Sequence, residues 1–161
     1  MVSIQNLEFE LQDLFKEKKY SKIISIITTK TNESERNAGL FVLLGISRIS
    51  LDKKNKEQIE LALDDFKKGY LKEKTTENSL NALVNFVLAS AILSDFENTN
   101  VDFNEIKKLY NESPKPFQNK RPINIAMTAI YSRLSDHEQM LFHLEKIIKS
   151  GDFISNDLCN Y

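Results

Sequence analysis

The sequence predicts an all-α chain, and three observations predict it. Glycine and proline are scarce, four and three in 161 residues, and tryptophan is absent, while 41% of residues are hydrophobic and 28% charged. Sandwiches and barrels need far more Gly/Pro turns. Next, Ala38-Gly-Leu-Phe-Val-Leu-Leu-Gly-Ile-Ser-Arg-Ile49 has ten apolar or glycine residues among its twelve, too continuous for a surface helix and too long for one core strand. Its charged neighbours must enclose it. Finally, apolar residues elsewhere recur at steps of three and four, the period of one helix face.

The elements follow in order. Residues 5–18 form a first helix with Leu7, Leu11, Leu14 and Phe15 on one face. A polar turn, Lys16-Glu-Lys-Lys-Tyr20-Ser21, leads into a second helix to about Thr29 that buries Ile23, Ile24 and Ile27. Asn32-x-x-Glu35 reads as a capping box for the third helix, which runs to about Asp52. The glycine at 45 lets a paired helix approach closely. Lys53 to Glu57 is a solvated turn, and the returning helix, to about Lys74, buries Ile59, Ala62, Leu63, Phe66 and Tyr70. Thr75-Thr76 offers an N-cap to a helix from Leu80 to about Phe96. Asp102-x-x-Glu105 caps its partner, and Ser113-Pro-Lys-Pro-Phe117 ends that partner because proline cannot continue the hydrogen-bond ladder. Pro122 belongs in the first turn of the next helix. Ser135-x-x-Glu138 is a capping box at the turn before the last complete helix, and Ser155-Asn-Asp157 reads as the cap of a further one.

Phe41, Leu44 and Gly45 stand in the order W-x2-L-G, and Ala62-x3-Phe66 follows in the next helix. The chain thereby resembles the tetratricopeptide (TPR) repeats. In the same alignment Leu11 and Leu14 take the glycine and tyrosine positions of a first unit, with Ile23 and Ile27 on its Ala-x3-Phe. Leu88-Ala89 with Ile106-x3-Tyr110 form a third unit, and Met127-Thr128-x2-Tyr131 with Met140-x3-Leu144 a fourth. From Leu11 to Gly45 is one period of about 34 residues. From the tyrosine position to the alanine position is a shorter step in the outer units (Leu14 to Ile23, Tyr131 to Met140) than in the inner ones (Arg48 to Ala62, Ile92 to Ile106). The resemblance implies a right-handed solenoid of about four antiparallel helix pairs within one domain, residues 1–161, with units 4–37, 38–76, 77–120 and 121–154. It also implies an inner groove lined by the first helix of each pair: Val42, Ile46 and Ile49, then Phe86, Ser90 and Leu93, then Ile125, Ala129 and Ser132.

Chemistry finds little purchase. His137 and His143 are six apart, roughly 120° around a helix, so one helix cannot aim both at one ion. His137 falls in a turn and His143 faces solvent or a neighbouring helix. Cys159 is the single cysteine, which leaves no internal disulfide and no CxxC-type metal cluster. Asp64-Asp65 reads as part of a solvated face. No phosphate-cradling glycine motif occurs. The net charge of −1 draws neither nucleic acid nor anionic membrane, and no apolar run is long enough to span one.

The expectation is therefore a non-catalytic module without cofactor or metal that binds a protein or peptide partner, including a hydrophobic helix, in its groove. With no secretory signal it is expected in the cytoplasm, and its lysine- and asparagine-rich style points to a bacterium. Phe153, Ile154 and Leu158 suggest a homodimer through the C-terminal end. In texture the chain also resembles the N-terminal helical arm of bacterial repeat-containing glycosyltransferases, which implies the alternative of a recruiting arm of a larger enzyme.

Overall fold

A computed structural model describes residues 4–150. Every regular element among them is helical, and no helix among them is long and apolar enough to cross a membrane. The chain divides into two compact units, Met1–Asp102 and Phe103–Tyr161. The break falls between the two helices of the third repeat expected from the sequence.

In the first unit α1 (Ile4–Lys16) and α2 (Tyr20–Lys30) pack on each other. Leu7, Leu11 and Leu14 meet Ile23, Ile26 and Ile27 in a buried cluster, with Phe15, Tyr20 and Ile24 at its edge. The turn between them is a Schellman motif: Lys18 is left-handed (φ 56°), its N–H donates to Phe15 O, and the Lys19 N–H donates to Leu14 O.

The Asn32/Glu35 box does form, with the Glu35 carboxylate accepting from the Asn32 N–H at 3.1 Å. It closes a single 3-10 turn, Glu33–Glu35, instead of starting the long helix. The reason is Arg36, which is buried and tied back by donating to the Thr31 hydroxyl and carbonyl, both at 3.1 Å. The apolar helix α3 (Ala38–Leu51) therefore starts later, capped by Asn37, whose side chain accepts from the Leu40 N–H at 2.9 Å and donates to Glu8 of α1.

α3 packs on α4 (Lys56–Glu73), α4 on α5 (Glu77–Leu93), and α3 also on α5. Asn55 and Thr76 cap α4 and α5. Gly45 is at the close contact expected of it: a Cβ there would lie 2.5–2.9 Å from three Phe66 ring atoms. Phe66 is wholly buried, as are Ile59 and Ala62. A second glycine works the same way. A Cβ on Gly69 of α4 would lie 3.0 Å from the Cβ of Phe41 and 3.3 Å from that of Ala82, so its bare backbone lets α3 and α5 close on α4 together.

Asp65, expected on a solvated face, is buried instead, and its carboxylate accepts from Arg48 Nε at 2.8 Å. Arg48, on the repeat's tyrosine position, thus ties α3 to α4. The extra residues of the inner repeats fall in different places. In one they lie ahead of Ala62 on the long helix α4; in the other they form the link 94–102 after α5.

The second unit holds α6 (Phe103–Glu112), the single turn α7 (Lys115–Gln118), α8 (Arg121–Arg133) and α9 (His137–Lys149). α6 ends where the prolines begin, Pro116 sits within α7, and Pro122 is in the first turn of α8 as expected. The box at Ser135 does not form. Ser135 adopts φ 54°, and Asp136 caps α9 by accepting from the Gln139 N–H. Here too the turn is a Schellman motif, with Ser135 N–H donating to Ser132 O and Asp136 N–H to Tyr131 O. The two outer turns thus repeat in the register of the alignment, Leu14 matching Tyr131 and Lys18 matching Ser135.

Candidate functional site

The groove residues are not equally available. Val42, Ile46 and Ile49 on α3 are half-buried. On α5, Phe86, Ser90 and Leu93 are buried, and the Ser90 hydroxyl is committed to Phe86 O at 2.8 Å. These three cannot line an open surface, a correction to the sequence reading: α5 contacts both α3 and α4, and the positions it exposes are instead Glu77, Asn78, Asn81 and Ile92. In the second unit Ile125 and Ala129 are half-buried and Ser132 is exposed. Phe153, Ile154, Cys159, Leu158 and the cap at Ser155–Asp157 lie outside the described residues.

A depression of about 560 Å³ on the first unit is lined by Glu33, Ser34, Phe41, Lys68, Leu71 and Lys72. Its cations are committed. Lys68 Nζ pairs with Asp64 at 2.7 Å and Glu33 at 2.8 Å, bonds that raise its pKa, and Lys72 Nζ donates to Ser34 O at 2.7 Å. An anion entering there would have to displace acceptors that the fold already supplies.

The densest polar cluster is in the second unit, around His143, which takes the second of the two surroundings the sequence allowed, a neighbouring helix. His143 is buried, with 1% of its area exposed. Its ring stacks on Tyr131 (5.4 Å, 18°) and meets Tyr110 and Phe142 edge-on. Its Nδ1 lies 2.8 Å from Asn124 Oδ1. Asn124 is itself fully buried on α8, where its Nδ2 donates to Lys120 O (2.8 Å) and Gln118 O (3.0 Å). With both amide hydrogens used, Asn124 can only accept from the histidine, which assigns the ring proton to Nδ1. Gln118 in turn donates to the carbonyls of Tyr110, Asn111 and Ser113, sealing the end of α6. Lys146 donates to the Tyr110 hydroxyl at 3.0 Å and lies 4.7 Å from the centre of the Phe142 ring.

Electrostatics follow from this burial. Desolvation, reinforced by the Lys146 charge, lowers the His143 pKa to about 4. Desolvation also raises the pKa of Tyr110 and Tyr131 and lowers that of Lys146. A base whose conjugate acid has a pKa near 4 takes up no proton near neutrality, and its one N–H is engaged. The cluster suits holding four helical segments in place better than moving protons. His137 is exposed at the start of α9, away from this arrangement, and no group of three or more metal-ligating side chains occurs among the described residues.

Nothing in the sequence pointed to Asn124 or Gln118, since the carbonyls they serve are brought near by the bends at Pro114 and Lys120. Exposed apolar side chains are the other feature the sequence did not place. Leu141, Phe142 and Ile148 of α9 are 56%, 48% and 58% exposed.

Comparison with known proteins identified no matching family model, curated protein or solved structure.

Proposed function

We propose that this chain is a non-catalytic, cytoplasmic, protein- or peptide-binding scaffold of TPR-like helix pairs stacked as a right-handed solenoid. The observation that carries the reading is the repetition of construction. The α1–α2 and α8–α9 turns share one Schellman geometry at the aligned positions, and Gly45 receives Phe66 where the motif pairs a small residue with an aromatic one. Repeated pairs that leave part of an apolar first helix uncovered are suited to taking up a peptide. Val42, Ile46 and Ile49 of α3 are the anchors available for that.

A peptide-phage selection against the whole chain tests this. Enriched peptides should carry apolar residues at helical spacing, bind saturably, and lose about tenfold in affinity with Ile46→Glu but not with Leu61→Glu on α4. Circular dichroism first checks that each variant is folded, with Ile49→Gln as the milder substitute. Absence of any saturable peptide, or indifference to changes on α3, would overturn the reading.

A further inference from the structure

The outer face of α9 is built as a seam. Leu141, Leu144 and Ile148 follow at steps of three and four, the a/d spacing of paired helices. Leu141 and Ile148 are more than half exposed and Leu144 is half-buried. Charges accompany this stripe on one flank. Glu138 in the first turn and Lys149 in the last are eleven residues apart, roughly three turns plus 20°, so they share that flank with Glu145. All three are exposed, and Lys149 sits 3.3 Å from Glu145.

We infer that this face is covered by α9 of a second copy of the chain, running antiparallel. In an antiparallel pair related by a two-fold axis each flank faces its own copy. With Leu141 set opposite the partner's Ile148, Glu138 falls within about 3 Å, along the axis, of the partner's Lys149, and the contact occurs twice. Glu145 falls within about 2 Å, along the axis, of its own copy, and that like-charge contact is offset by the Lys149 that sits 3.3 Å from each Glu145. A parallel pair would instead set Glu138 against the apolar flank of Met140 and Ile147. The chain's own residues 151–161 are a poorer match, because they carry two aspartates and no cation to meet Glu138. The pairing of Glu138 with Lys149 therefore favours the antiparallel copy over both alternatives. The seam is about two turns long, so the dimer is weak and concentration-dependent. This inference uses other residues than the α3 surface, and either can fail without the other.

Light scattering on the full chain across a dilution series is the test. The mass should rise from monomer to dimer with concentration, and Leu141→Lys, an exposed position that leaves the fold intact, should hold it at monomer. Glu138→Lys and Lys149→Glu should each weaken association about three- to tenfold, and the double swap should restore it. A strict monomer overturns the proposal, as does a dimer indifferent to Leu141→Lys. A double swap that does not rescue overturns the antiparallel register.

Discussion

The two units hold themselves together by different means. In the first, α3, α4 and α5 close through bare backbone and rings: Gly45 against Phe66, Gly69 against Phe41 and Ala82. One ion pair, Arg48–Asp65, is set among them. In the second, the centre is a histidine whose hydrogen bonds run through Asn124 and Gln118 to backbone carbonyls. An interlock of small and large side chains gains energy from fit and loses it by any change of volume. A polar network gains little net energy per bond but loses much when one partner goes missing. The same all-helical plan thus has one unit organised by side-chain volume around a single buried ion pair and one organised by a polar network around a histidine.

The largest effect should come from breaking the interlock. Phe66→Ala removes a wholly buried ring and should cost about 3–5 kcal/mol, and Gly45→Leu should cost about 1–3 kcal/mol by overpacking. Because the two side chains compete for the same space, Gly45→Leu combined with Phe66→Ala should cost clearly less than the two added together. Urea denaturation of the three variants measures this. Simple additivity would mean that Gly45 and Phe66 do not share a contact, and with it the alignment on W-x2-L-G would fall.

That contact was legible in the sequence because it depends on periodicity and on residue volume. A glycine within an apolar run and an aromatic at helical spacing are visible one residue at a time. Caps were half legible. Asn32-x-x-Glu35 formed its box, yet the helix began elsewhere, because the tether from Arg36 to Thr31 set the chain's path. Ser135 met the same fate when its backbone took up the left-handed turn. Asp65 was hidden, and His143 left between solvent and a neighbouring helix, for another reason. Each sits beside an exposed charged or apolar neighbour, Asp64 or Phe142, so their surroundings in sequence resemble a solvated face. Only the long-range partners Arg48 and Asn124 show that they are inside. The α5 portion of the expected groove failed similarly, since a family's inner face need not stay open when the helix is packed against two neighbours and exposes another face, that of Asn78 and Asn81.

Protonation should separate the two units. His143 has its pKa lowered from 6.5 to about 4, so the stability it confers is complete above pH 6.5 and is lost as pH falls through 4. Asp65 has its pKa raised from 3.8 to about 6, mainly by burial and against the pull of Arg48. Its contribution is complete below pH 3.8 and is lost as pH rises through 6. Each shift corresponds to about 3 kcal/mol, with opposite sign over the same interval. Residue-resolved NMR denaturation between pH 6.5 and 4 should show α8 and α9 weakening while α3 and α4 strengthen. His143→Gln should flatten the first slope and Asp65→Asn the second. Slopes of one sign throughout the chain would erase the contrast between the units.

The smallest effect concerns a flaw within the first unit. Ser47 is fully buried on α3, and its hydroxyl has no hydrogen-bond partner among the described residues. The buried serines of α5 differ, because Ser79 donates to Thr76 O at 2.7 Å and Ser90 to Phe86 O at 2.8 Å. An unsatisfied buried hydroxyl destabilises the fold by about 1–3 kcal/mol, whereas alanine removes it and is the better helix former. Ser47→Ala should therefore raise stability by about 1 kcal/mol, while Ser79→Ala and Ser90→Ala should be neutral or lower it. Thermal melts of the three variants decide the matter. If Ser47→Ala melts lower than the parent, the hydroxyl bonds a neighbour after all. The buried serines of α3 and α5 would then be alike, and the first unit would carry its buried hydroxyls as fully bonded as the second does.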